Sequence, residues 1–224
     1  MTVASGDPPE RSRTLAAIDA AAVELFARRG YHATTMREIA AAVDIQAAAI
    51  YHWYANKEAI LVHLQDEFME RLTAAVVAAA ERHERPALQL AAMVREHVVF
   101  HGLHARAAFV TDSEIRALTD EPRKRLIAQR DVYQARFAET IRDGIRDGSL
   151  RSSNARVATY AILLQCTGVA LWFDPEGSLG LEEVAELHVE LVLGSLQAGP
   201  ELIGAAIDAC REAVAAEAVR DERS

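Results

Sequence analysis

The stretch that decides the fold runs from Thr34 to Lys57 and reads TTMREIAAAVDIQAAAIYHWYANK. Thr34 and Thr35 precede Met36-Arg37-Glu38-Ile39-Ala40, so a threonine hydroxyl is placed to cap a short helix, and Glu38, three residues after Thr35, completes a capping box. That helix is expected to end by about Val43. Asp44, Ile45 and Gln46 make a short break, and Ala47 to Tyr54 reads as a second brief helix, a triple alanine followed by Ile50-Tyr51-His52-Trp53-Tyr54. Two short helices around a turn of about three residues make a helix-turn-helix, whose second helix enters the major groove of DNA.

The residue types suit that task. A helix approaching base edges needs small side chains, and Ala47, Ala48 and Ala49 supply them, with methyl groups that can touch thymine; Gln46 can pair with N6 and N7 of adenine. Tyr51 and His52 lie where such a helix passes the groove wall, and a hydroxyl and ring nitrogens there suit phosphate oxygens. Lys57 falls in the first turn of the next helix, where its charge and the exposed amides favour an anion. Trp53 and Tyr54 face inward beside Phe26 and Leu61 and are expected in the core.

Upstream, Leu15, Ile18, Ala22, Leu25 and Phe26 follow helical periodicity. They define a helix from near Arg11 that stops at Arg28-Arg29-Gly30, bases at the negative dipole end and glycine just after. Residues 1–10, with Gly6, Pro8 and Pro9 and no periodicity, are expected to form a disordered arm, and Arg11 and Arg13 are candidate contacts toward a groove. Downstream, Asn56 caps a longer helix whose apolar face carries Ile60, Leu61, Leu64, Phe68, Leu72 and Val76 up to about Arg82. From Pro86 every segment reads as helix: Pro86 to His104, a short piece from Ser113 to Leu118, Pro122 to Asp147, Ala155 to Phe173, Leu181 to Leu196, and a last one after Gly199-Pro200. The expected fold is all-α, with an amino-terminal three-helix helix-turn-helix DNA-binding domain at 11–57 and a helical ligand-binding and dimerisation domain at 58–224.

Composition agrees. Of 224 residues 51% are apolar but only 6% aromatic, and alanine, the best helix former, is the commonest residue. No run approaches the roughly 18 uninterrupted apolar residues of a membrane span, and the amino terminus lacks a basic-then-apolar pattern, so a cytoplasmic chain with no membrane partner is expected. Cys166 and Cys210 have no CxxC companion and are expected to be free, buried thiols. The net charge is −9, yet between Arg11 and Lys57 six bases face four acids. A mildly basic head on an acidic body fits two parts with different partners.

The sequence holds no nucleophile elbow, phosphate-cradling glycine loop or HExxH segment, so neither an enzyme nor a cofactor is expected. His97, His101 and His104 can bring two imidazoles to one helical face, but no cysteine or carboxylate completes a shell, and no metal is expected there. The competing class is a helical interaction module without DNA binding, which leaves the Ala47 to Ala49 face and Lys57 without a role.

Three motifs, Phe26-Ala27-Arg28-Arg29-Gly30-Tyr31, Ala33-Thr34-Thr35-Met36-Arg37-Glu38-Ile39-Ala40 and Ile50-Tyr51-His52-Trp53-Tyr54-Ala55-Asn56-Lys57-Glu58-Ala59-Ile60-Leu61, resemble in order and spacing the TetR family of transcriptional repressors. The resemblance implies a homodimer on a palindromic double-stranded DNA operator, released by a small hydrophobic effector; a TetR-like activator is the alternative. Carried over by position, the phosphate contacts are Thr35, Tyr51, His52 and Lys57, and the base readers Gln46, Ala47 and Ala49. Asp44 stands where the family usually has glycine, Gln46 where it has a serine or threonine cap, and Ala48 where glycine is frequent. Asp44 tolerates a left-handed backbone, so the turn is expected to survive.

In the family, a pair of late helices corresponding to 155–173 and 181–196 forms the dimer interface, and Gly168, Ala170, Gly194 and Ser195 permit close packing there. The implied effector pocket is walled by Phe68, Met69, Met93, His97, Phe100, His101 and Phe109, and further along by Tyr133, Phe137, Tyr160, Leu164, Gln165 and Trp172. Residues 142–148 and 172–177 are similar to TetR-type regulators of lipid or sterol catabolism that answer to acyl-CoA thioesters. On that resemblance Arg123, Lys124, Arg125 and Arg130 receive the CoA phosphates; on the plainer reading they balance Asp112, Glu114, Asp120 and Glu121.

Overall fold

The computed structural model describes the backbone of residues 8–221 and the side chains of residues 13–215. Of the expected arm, residues 1–7 lie outside the described residues, as does the Arg11 side chain; Arg13 is exposed. Among the described residues there is no strand, and the elements are α1 (Pro8–Arg29), α2 (Met36–Ala42), α3 (Lys57–Ala80), α4 (Pro86–Leu103), α5 (Ala105–Ser113), α6 (Asp120–Arg146), α7 (Ala155–Thr167), α8 (Val169–Trp172), α9 (Leu181–Ser195) and α10 (Pro200–Asp221), with short 3₁₀ turns at Ala49–His52 and Glu114–Ala117. α1 starts earlier than expected, taking Pro8 to Glu10 into the helix: proline is at home in a first turn, where its missing N–H costs nothing.

The chain divides into two compact units, Met1–Phe68 with Arg106–Ile127, and Met69–Ala105 with Ala128–Ser224. In the first, Ile18, Phe26, Ile39, Ile50, Ile60 and Leu61 are fully buried or nearly so. Gly30 ends α1 with a φ of +81°, a backbone that side chains rarely adopt, and donates its N–H to Phe26 O. The Thr34 hydroxyl then donates to Gly30 O at 3.0 Å, fixing the entry into α2.

In the second unit α4 is the central helix, with α7, α8, α9 and α10 packed on it. Leu90, Val94 and Val98 are sealed. A Cβ on Gly102 would come within 2.3 Å of Leu181 Cδ1, so the bare glycine admits the start of α9 against α4. Arg95, buried on α4, makes a bidentate pair with Glu182 of α9 at 2.9–3.0 Å. Cys166 and Cys210 are free and buried, and burial pushes the Cys166 thiol up to about 12.

The expected single helix from Ala155 to Phe173 is broken at Gly168 into α7 and α8. By mean hydropathy the window Ala155–Trp172 is apolar enough for a membrane span, but polar residues interrupt it and it is divided at Gly168, so the expectation of no uninterrupted apolar run stands. Its apolar side chains point outward: Val157, Tyr160, Leu164, Leu171 and Trp172 are exposed, as are Leu187 and Leu191 on α9.

Candidate nucleic-acid interface and buried polar centre

The capping box forms as the sequence specifies. Glu38 N donates to Thr35 Oγ1 at 3.3 Å, and Thr35 N donates to Glu38 Oε2 at 2.8 Å. The Thr35 hydroxyl and backbone N–H, both donating to the Glu38 carboxylate, and more weakly Arg29 at 2.9 Å, hold that carboxyl below its usual range. The Thr35 hydroxyl thus serves the cap. In the turn, Asp44 takes a φ of +55°, the left-handed backbone expected of it, and Ile45 N returns to Ala40 O at 3.0 Å.

The second helix of the motif departs from expectation. Ala47 to Tyr54 was expected to be α-helical, but only Ala49–His52 is regular, and as a 3₁₀ turn. Gln46 offers no short hydroxyl or carboxylate to hold the first amides; no side chain caps the turn, and Ala49 N closes on Gln46 O instead. Ile50 is buried and anchors the turn, leaving Gln46, Ala47, Ala48, Tyr51 and His52 exposed together, with Ala49 half-buried. Tyr51, at 55% exposure, is a large ring with no core duty. Tyr54 is buried as expected, whereas Trp53 is only half-buried.

Lys57 is placed differently from the expectation of a phosphate contact. Its ammonium donates to Tyr31 O at 2.5 Å, Thr34 O at 2.7 Å and His32 O at 3.3 Å, and sits 4.3 Å from the Tyr31 ring centre. An ammonium has three donors, so these carbonyls take them all. Burial pulls the Lys57 pKa down, against the opposing charges of Glu114 and Glu38. Lys57 ties the loop after α1 to the start of α3, where Asn56 accepts from Ala59 N as predicted.

The expected effector residues separate into groups. Phe68 and Phe109 belong to the first unit and the rest to the second. Within the second, Met69, Met93, His97, Phe100, His101, Tyr133 and Phe137 are buried. Tyr160, Leu164, Gln165 and Trp172 are exposed on the outer face of α7 and α8, because Thr159, Ile162, Cys166 and Val169 take the inward positions of those helices.

The buried set contains a polar centre. His97 Nδ1 lies 2.7 Å from the Tyr133 hydroxyl and Nε2 lies 3.1 Å from Thr167 Oγ1. The His101 ring stacks on His97 at 4.1 Å and donates its Nδ1–H to His97 O. Burial, reinforced by His101 and His188, holds the His97 pKa well below its usual value, so the imidazole is neutral and needs one donor and one acceptor; two hydroxyls meet both needs. Burial likewise pushes the Tyr133 hydroxyl well above its usual value. Thr167 was missed in the sequence, and seventy residues from His97 it carries no local signal.

The bases expected near CoA phosphates are paired: Arg123 with Asp120 at 2.6 Å, Lys124 with Glu121 at 3.1 Å and Arg125 with Asp66 at 2.5 Å. The plainer reading, bases balancing nearby helix-surface acids, names the partners of Arg123 and Lys124, while Arg125 takes Asp66, an acid outside that set.

An exposed turn of small side chains with a flanking hydroxyl and imidazole, on an all-helical chain with a separate helical core, defines a regulator that reads DNA through a helix-turn-helix. Residues 18–64 match the model of bacterial regulatory proteins of the tetR family, and residues 83–196 match that of the tetracyclin repressor-like C-terminal domain. The chain belongs to the TetR family of transcriptional regulators. It is 28% identical over 180 residues to the HTH-type transcriptional repressor KstR2 of Mycobacterium tuberculosis, covering 78% of this chain and 88% of that protein. Among solved structures it is similar to a tetR-family regulatory protein from Rhodococcus RHA1, with 30% identity, a TM-score of 0.79, and coverage of 84% and 98%. It is also similar to AibR in complex with isovaleryl coenzyme A and operator DNA, with 26% identity, a TM-score of 0.74, and coverage of 80% and 97%.

Proposed function

We propose that the protein is a ligand-responsive cytoplasmic repressor that binds a palindromic operator as a homodimer and is released by an acyl-CoA thioester. The observation that carries the DNA half is the joint exposure of Gln46, Ala47, Ala48, Tyr51 and His52 around the buried anchor Ile50. Gln46, Ala47 and Ala49 read bases, Tyr51 and His52 hold phosphates, and Thr35 approaches through its end of α2. Lys57 acts through the carbonyls it fixes, a positioning role in place of direct contact. Residues 11–57 are the reading domain and 58–224 the sensing and dimerising part. The outward apolar side chains of α7, α8 and α9 pair with a second copy, and the twofold axis of that dimer matches the operator's.

The similarity to AibR, whose structure holds isovaleryl coenzyme A, supports the effector class. The acyl chain lies among Met93, Phe100 and Phe137, and the Tyr133 and His97 pair meets its thioester carbonyl. The effector must bind the released conformation more tightly than the DNA-bound one, or it shifts nothing. α3, one continuous helix carrying both Lys57 and Met69, is the lever.

Gel retardation with genomic fragments tests the reading, followed by anisotropy on the retarded fragment with a panel of acyl-CoA thioesters. Retardation of a fragment, with release by micromolar acyl-CoA, is expected. Tyr51→Phe weakens binding about 2- to 10-fold, the worth of one hydrogen bond. Failure to retard any fragment sinks the DNA reading; retardation insensitive to every thioester sinks the effector class alone.

A further inference from the structure

The first unit holds a cluster that DNA reading does not use. Asp19 on α1 and His63 and Glu67 on α3 each offer one ligand atom, the three atoms lying within 4.8 Å of one another. His63 Nε2 is 3.4 Å from Asp19 Oδ2 and 3.7 Å from Glu67 Oε2. A tetrahedral ion with bonds of about 2.0–2.1 Å holds its ligand atoms about 3.3 Å apart, so the two edges from His63 already stand close to that spacing and the Asp19 and Glu67 oxygens lie within reach of a modest closure. His63 and Glu67 are four residues apart and share one face of α3.

Two further features resemble a built site. The second oxygen of Asp19 accepts the Tyr54 hydroxyl at 2.6 Å, which orients the carboxylate as an outer-shell partner orients a metal ligand. The Asp19 side chain is only 12% exposed while those of His63 and Glu67 are 39% and 44% exposed. The cluster is thus closed on the Asp19 side and open to solvent on the other, where water has access to a fourth position. Two carboxylates around one imidazole also carry surplus negative charge. Burial first, and Glu67 more weakly, raise the Asp19 carboxyl, against the lowering pull of Tyr54 and His63.

We propose that Asp19, His63 and Glu67 form a divalent transition-metal site of the zinc class, with Tyr54 as the residue that positions Asp19. The imidazole excludes magnesium and calcium as preferred occupants, since those ions favour all-oxygen shells. Occupancy joins α1 to α3 and, through Tyr54, to the end of the helix-turn-helix.

Full-length protein stripped with a chelator is titrated with zinc chloride by calorimetry, and with cobalt(II) followed by visible absorption. One ion per chain and a tetrahedral cobalt spectrum are expected, with a melting temperature raised by roughly 5–10 °C at a hundredfold excess over the Kd. His63→Gln and Glu67→Gln each weaken binding at least tenfold, while His32→Gln leaves it unchanged. Glu67 is exposed enough that its variant folds even where Asp19→Asn does not. Absence of binding at millimolar metal overturns the site and leaves an ion triad centred on His63; binding that survives both His63→Gln and Glu67→Gln overturns it by placing the ion elsewhere.

Discussion

The reading motif and the core of the second unit solve the problem of polar groups in opposite ways. In the motif the bonds that start the helices are short in sequence, Thr35 to Glu38 and Asn56 to Ala59, while Lys57 and Tyr54 reach 26 and 35 residues back to Tyr31 and Asp19. In the second unit they are long: His97 reaches Tyr133 and Thr167, 36 and 70 residues distant, and Arg95 reaches Glu182, 87 distant. Local bonds make a stiff surface that forms as soon as its own segment does. Distant bonds hold only when the whole unit is assembled, and a core that depends on them is sensitive to anything that enters it.

The sharpest way to break this contrast is to empty the second core. Phe137, fully buried against Tyr133 and His97, becomes a cavity in Phe137→Ala, with an expected loss of about 3–5 kcal/mol read by urea unfolding. If the motif is locally stiff, amide exchange around α2 stays protected beyond that of α4 and α9 in the variant; equal loss in both removes the distinction.

Tyr133→Phe deletes one partner of the buried imidazole and is expected to cost about 1–3 kcal/mol, more than a surface hydroxyl would. A neutral effect means that the His97 to Tyr133 bond contributes nothing net.

Acid sharpens the same point. His97 is held below its unfolded pKa, so below about pH 6.5 the unfolded chain takes up a proton that the native chain refuses. Stability therefore falls as pH drops through that value, by up to about 1.4 kcal/mol per pH unit from this residue until its native pKa is reached. A His97→Gln variant has a flatter profile between pH 6.5 and 5; an unchanged slope assigns the proton elsewhere.

The smallest effect belongs to the motif. Thr35→Ala removes the cap of α2 and is expected to cost about 1 kcal/mol, read as a fall of a few degrees in melting temperature. A much larger loss shows that the motif leans on distant contacts after all.

What was legible in the sequence follows the same division. The capping box, the Asn56 cap, the glycine stop after Arg29 and the left-handed Asp44 were all readable, because each depends on residues within a turn of one another. The missing serine or threonine cap at Gln46 is visible in the sequence, but how far it shortens the helix, to a 3₁₀ turn, depends on the packing of Ile50 and not on local pattern. The break at Gly168 escaped notice because Gly168 sits in an apolar run that reads as one helix. Periodicity identified α7 as apolar but not which side faced in, so Tyr160, Leu164, Gln165 and Trp172 were assigned to a wall that they do not line in the second unit's interior. The sequence suggests Lys57 as a phosphate contact because nothing local to it names the carbonyls of Tyr31 and Thr34 as its partners.

The left-handed turn at Asp44 has an evolutionary consequence. An aspartate codon becomes a glycine codon by a single base change, and glycine occupies that backbone without a side-chain penalty. One mutational step thus relaxes the turn and deletes a negative charge from the reading motif.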